Sequence, residues 1–117
     1  QARRIETEFV DQQRSQLPIA ILFDHEHRLV RIDDYLVEAV PEGNFLFTRH
    51  RDEPGVVGAL GSILGREHVN IQRMHVGIDG TAEYAIALLG VSSPLPHKVL
   101  EEIRALPQIV EALEFTL

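Results

Sequence analysis

The residues with the clearest chemical promise in this 117-residue chain lie between His50 and Asn70. In RHRDEPGVVGALG a loop ends in Glu53-Pro54-Gly55, and proline suits the first turn of a helix. A helix starting there offers the unpaired backbone N–H groups of Gly55, Val56 and Val57, and its dipole favours an anion such as a carboxylate. Asp52, just outside, can accept a hydrogen bond from an ammonium group. His50 can bond a ligand hydroxyl or carboxylate, and Asn70 follows the same helix. The reading is that three polar side chains converge on one helix start, which is how a small zwitterion such as an amino acid is held. Each residue also has a plainer role. Asp52 can cap the helix. Glu53, biased away from α geometry by Pro54, can be the cap instead. His50 can simply end a strand, and Asn70 can belong to a turn.

The flanking patterns supply the elements that must position these groups. Residues 44–117 read as βαββαβ: a strand over 44–49, a helix over 54–67, strands over 69–78 and 82–91, a helix over 96–105 and a strand over 109–117. Val56, Val57, Leu60, Ile63 and Leu64 form one apolar stripe on the first helix, and Val99, Leu100, Ile103 and Leu106 one on the second. Asp79-Gly80 is a favoured hairpin turn, and Pro107 stops the second helix. The fold class is therefore α+β, an antiparallel ferredoxin-like sheet with both helices on one face. Residues 1–43 are β-rich, with strands over 5–10, 19–23, 29–32 and 35–40, polar turns at DQQRS and DHEH, and a hairpin around Asp33-Asp34. Pro41-Glu42-Gly43 is the boundary between the two parts.

Two features point beyond a single chain. The strand over 82–91 is apolar on both faces, with Tyr84, Ile86 and Leu88 on one and Ala85, Ala87 and Leu89 on the other. Helices cover one face, so the other is expected to meet a neighbouring subunit, or else residues 1–43. Gly58, Gly61 and Gly65 lie within about 60° of one another on the first helix, roughly opposite its apolar stripe. Each glycine costs about 1 kcal/mol relative to alanine, and close approach of another backbone explains why three are kept.

Composition narrows the remaining classes. A net charge of −7, without a basic run, disfavours nucleic acid and anionic membranes. The absence of cysteine excludes disulfides and thiolate metal sites and fits a reducing cytoplasm. No apolar run approaches the roughly 20 residues of a membrane span, and no signal peptide is evident. His25 and His27 form an H-x-H without a third ligand nearby, so a solvated turn is expected there and no metal. His68, His75 and His97 read as surface or strand positions, and Arg28, Arg31 and Arg73 as solvated cations. There is no nucleophile motif, no GxGxxG and no P-loop, so no cofactor is expected in this chain. The chain opens on Gln1 and runs at once into strand-like sequence, which reads as the C-terminal piece of a longer protein.

Three stretches carry a resemblance. RHRDEPGVVGALGSILGREHVNIQRMHVG resembles the opening of an ACT domain, a βαββαβ amino-acid-sensing module. RLVRIDDYLVEAVPEGN resembles the segment that joins the intervening, allosteric substrate-binding domain to the ACT domain in long-type D-3-phosphoglycerate dehydrogenases, and SSPLPHKVLEEIRALPQIVEALEFTL resembles that family's C-terminus. The resemblance implies that 1–43 is the end of the intervening domain and 44–117 the ACT domain. It further implies feedback inhibition by L-serine held between two subunits, with His50, Asp52 and Asn70 as effector-binding side chains and Asn70 closing the site from the facing chain. The catalytic domains and their NAD would lie upstream, leaving this fragment without dehydrogenase activity. Two residues depart from the family pattern: Asp33-Asp34 stands where Asp-Gly is usual, and Glu53 where Arg or Lys is common, which makes the site mouth more acidic. A structural oligomerisation module without an effector, and the regulatory part of an iron–sulfur L-serine dehydratase, are the alternatives.

Overall fold

The structure is a computed structural model that describes residues 4–10, 18–32, 35–78 and 83–117, with side chains described from residue 21 onward. The expected turns at DQQRS, Asp33-Asp34 and Asp79-Gly80 lie outside the described residues. The chain divides into two compact units, Gln1–Glu42 and Gly43–Leu117.

The first unit is a four-stranded antiparallel meander of β1 (Arg4–Val10), β2 (Pro18–Asp24), β3 (Leu29–Ile32) and β4 (Tyr35–Glu38), in that spatial order. Ile21 lies opposite Ile32, and both are fully buried with Val30. The β2–β3 turn is organised by Asp24. Its carboxylate accepts hydrogen bonds from the backbone N–H groups of Glu26 and His27, at 3.0 and 3.2 Å, and lies 2.9 Å from His27 Nδ1. These bonds, led by the one from the His27 ring, hold the Asp24 carboxyl below its ordinary pKa. His25 meets Phe23 edge-on. Both histidines of the H-x-H thus have turn-forming or packing roles.

The second unit runs β5 (Asn44–Arg51), α1 (Val56–Arg66), β6 (Ile71–Ile78), β7 (Tyr84–Val91), α2 (His97–Arg104) and β8 (Ile109–Thr116). Its sheet order is β6-β7-β5-β8, antiparallel throughout, so each βαβ crossover skips one strand, as in ferredoxin-like folds. Register fixes the faces. Leu46 lies opposite Leu89, and Thr48 opposite Ala87. These side chains share a core with Val56, Leu60, Ile63 and Leu64 of α1 and Val99 and Ile103 of α2, which places both helices on that face. Arg66 at the end of α1 is ion-paired with Glu102 of α2 and with Glu67.

The opposite face of the sheet carries its remaining apolar side chains. Phe45, Phe47, Ile86, Leu88, Leu113 and Phe115 are each 0–5% exposed in the single chain, and Phe45 stacks on Phe115 at 5.3 Å. Among the described residues the exposed large apolar side chains of this unit are Val57 on α1, and Met74, Val76 and Ile78 on the edge strand β6, with Ile78 64% exposed. The α1 glycines meet nothing either, since a Cβ at Gly58, Gly61 or Gly65 would have no neighbour within 4 Å.

Helix α1 ends in a Schellman arrangement. His68 N–H donates to Gly65 O (3.0 Å) and Val69 N–H to Leu64 O (2.9 Å), with His68 itself at φ 60°. That left-handed position costs an L residue about 1–2 kcal/mol, against about 0.5–1 kcal/mol for the greater unfolded-state freedom of glycine. His68→Gly is accordingly expected to stabilise the unit by about 0.5–1 kcal/mol, seen as a higher urea midpoint at unchanged slope.

Candidate functional site

The inward side of β5 leads to the site. Alternation along the strand puts Leu46, Thr48 and His50 on the helix-covered face, and Thr48 and His50 are only 0% and 3% exposed. Thr48 Oγ1 lies 3.1 Å from His50 Nδ1. The strand ends under firm control. Arg51 N–H donates to Gln108 O and Asp52 N–H to Glu83 O, at 2.9 and 3.0 Å. Glu53 N–H then turns back onto Arg51 O. This clamp presents the Asp52 side chain to solvent at the entrance to α1.

The helix begins without a side-chain cap. Its N-cap is Gly55, at φ 93° and ψ −14°, a conformation that favours glycine, and among the described residues no side chain makes a capping hydrogen bond there. The capping roles open to Asp52 and Glu53 in the sequence are therefore not realised: the chain reverses at Gly55, beyond both residues, and leaves them outside the first turn. Val56 buries its side chain in the core and Val57 is exposed, and each has a backbone N–H in the first turn. The helix start is left free to receive an anion.

Burial holds the His50 ring below its ordinary pKa, and the negative charge of Asp52 opposes that only in part. His50 is thus neutral at neutral pH, a donor on one ring nitrogen and an acceptor on the other. A base with a depressed folded pKa binds fewer protons folded than unfolded. Its contribution to stability is complete above the unfolded value of about 6.5 and is lost as pH falls below it. Urea midpoints are therefore expected to drop between pH 7.5 and 5 in the native chain. His50→Gln should flatten that segment of the profile.

Asn70 lies elsewhere, which corrects the expected convergence. Its N–H donates to Ser92 Oγ and its carbonyl accepts from Ser92 N–H, both at 2.9 Å, beyond the C-terminal end of α1. The helix is eleven residues long, about 16 Å of axis. The sheet register agrees: Ile71 and Asn44 both lie opposite Val91, whereas His50 lies opposite Ala85. One chain therefore places His50, Asp52, Gly55, Val56 and Val57 at the junction of β5 and α1, and Asn70 beyond the far end of α1.

Thr48 was missed in the sequence reading. The available signal was its i, i+2 spacing to His50 on a strand, which puts the two side chains on one face. Elsewhere, Arg49 sits over the Tyr84 ring at 5.2 Å and faces Glu111 at 3.5 Å, so it is engaged within the sheet. Among the described residues no group of three His, Cys, Asp or Glu side chains is placed to hold a metal, and no helix is long and apolar enough to cross a membrane.

Known proteins give a consistent comparison. The family model described as ACT domain matches residues 45–108. The chain is 40% identical over 92 residues to a D-3-phosphoglycerate dehydrogenase of Archaeoglobus fulgidus, covering 77% of this chain and 18% of that protein. It is 39% identical over 93 residues to the D-3-phosphoglycerate dehydrogenase of Synechocystis sp., covering 80% and 17%. A Bacillus subtilis protein of the same name is 34% identical over 83 residues, covering 71% and 16%. The chain spans less than a fifth of the length of these curated relatives.

Proposed function

This chain belongs to the ACT-domain family, and from that premise we propose that it is the regulatory C-terminal part of a D-3-phosphoglycerate dehydrogenase, binding L-serine between two ACT domains for feedback inhibition. The observation that carries the reading is the uncapped, glycine-started helix α1 beside a buried neutral His50 and an exposed Asp52. An amino acid carries an anion and a cation a few ångströms apart. Its carboxylate would meet the N–H groups of Gly55 to Val57, and its ammonium the Asp52 carboxylate. His50 would bond an effector oxygen.

Asn70 enters through a second copy. If two chains pair about a two-fold axis with their α1 helices antiparallel, the C-terminal end of one helix lies beside the N-terminal start of the other. The partner copy's Asn70 then closes the site that the first chain opens. Open glycine positions on α1 and the exposed apolar row Met74, Val76 and Ile78 on the unpaired edge of β6 support such a pairing. Dehydrogenase chemistry and its NAD belong to upstream domains, with residues 1–43 as the end of the intervening domain. Serine would alter the parent enzyme by its differential affinity for two subunit arrangements.

The same exposed surfaces favour a second reading, a purely structural oligomerisation module. Calorimetric titration of the chain with L-serine, beside glycine, alanine and phenylalanine, separates the two. Saturable serine binding by a dimeric sample supports the sensor. A dimer that takes up no heat with serine leaves only the structural module.

A further inference from the structure

The contact between Thr48 and His50 determines more than packing. Thr48 is fully buried, and its hydroxyl lies 3.1 Å from His50 Nδ1. Among the described residues that hydroxyl bonds to nothing else. A buried hydroxyl hydrogen needs an acceptor. If Nδ1 carried the ring proton, the hydroxyl would have to accept, and its own hydrogen would be left unpartnered in the core. If the hydroxyl donates to Nδ1, both groups are satisfied and the ring proton is forced onto Nε2. Nε2 bonds to no described residue, which leaves its N–H for an acceptor outside the chain.

We infer that Thr48 is a positioning residue: its hydroxyl donates to His50 Nδ1, fixes the Nε2–H form of the ring, and so makes His50 a hydrogen-bond donor to an oxygen of the bound effector. This inference rests on the serine-sensor reading for the identity of that oxygen, while the tautomer is a property of the empty chain. It also assigns opposite polarities within the site. His50 and the helix N–H groups face effector oxygens as donors, and Asp52 faces the ammonium as an acceptor. An effector bound the other way round would meet donors with its ammonium and an acceptor with its carboxylate.

The test is nitrogen-15 NMR of the histidine rings in the 117-residue chain, with Thr48→Val and Thr48→Ser for comparison, followed by serine titration of each. In the native chain His50 should show a protonated Nε2 and an unprotonated Nδ1 displaced by an accepted hydrogen bond. Thr48→Val should lose that displacement and bind serine about five- to tenfold more weakly, whereas Thr48→Ser should keep the displacement and stay within about twofold. A protonated Nδ1 in the native chain, or an Nδ1 signal unmoved by Thr48→Val, overturns the inference whatever serine does. Equal serine affinity for the valine variant overturns the role of Thr48 in the site. Failure of the native chain to bind serine at all overturns the sensor reading instead, and with it the effector half of the inference, while the ring signals still decide the tautomer.

Discussion

Leu60→Ala is expected to cost the ACT unit about 3 kcal/mol, measured as a drop in urea midpoint with little change in slope. Leu60 is 1% exposed and belongs to the cluster that joins α1 to Leu46 and Leu89 of the central strands. Removing three carbons there loses transfer free energy and leaves a cavity that helix and sheet can fill only in part. A loss of this size is a large fraction of the 5–15 kcal/mol typical of a domain. It also bears on function, because Leu60 lies one helical turn after Val56, the buried residue that anchors the helix start. Serine binding should weaken in parallel as α1 loosens. Val57→Ala, at a residue 39% exposed on the same turn, should change stability by less than about 0.5 kcal/mol. If Leu60→Ala costs under 1 kcal/mol, α1 does not depend on this packing and the account of how the site is positioned fails.

The framework of this unit was legible because its periodicities are strong. Val56, Leu60, Ile63 and Leu64 recur at helical spacing and are the residues α1 buries. The alternation of Leu46 with Thr48 and His50 places the last two under the helices once the strand direction is known. Other features were not readable from local pattern. Asp52 and Glu53 are the residue types that cap helices, and only the positive φ of Gly55 shows that neither does. The strand over 82–91 is apolar on both faces, but sequence cannot say which surface covers each. The misplacement of Asn70 has a different origin. A helix from 54 to 67 already implied about 20 Å between its ends, so one chain could not bring Asn70 to His50. The two-subunit site that the resemblance implies, with Asn70 supplied by the facing chain, therefore depends on a second copy, which single-chain arguments about His50 and Asp52 do not require.

That dependence leads to the second large effect. Asp52→Ala and Asn70→Ala are each expected to weaken serine binding by about 1–3 kcal/mol, and yet to rescue one another when mixed. Neither change should disturb folding, since both side chains are exposed and Asp52 does not cap α1. Asn70 bonds to Ser92 through its backbone, which alanine retains. In a dimer of either variant both sites are damaged. In a mixed dimer one site carries both substitutions, and the other combines a native Asp52 with a native Asn70 from the facing chain. Equal mixing and reassortment should therefore restore native affinity at about a quarter of all sites, a signal neither variant gives alone. A site built within one chain predicts no rescue, because every chain in the mixture carries a defect. If Asn70→Ala binds serine as tightly as the native chain, Asn70 is simply the turn residue at the head of β6, and the two-chain site loses the residue that defines it.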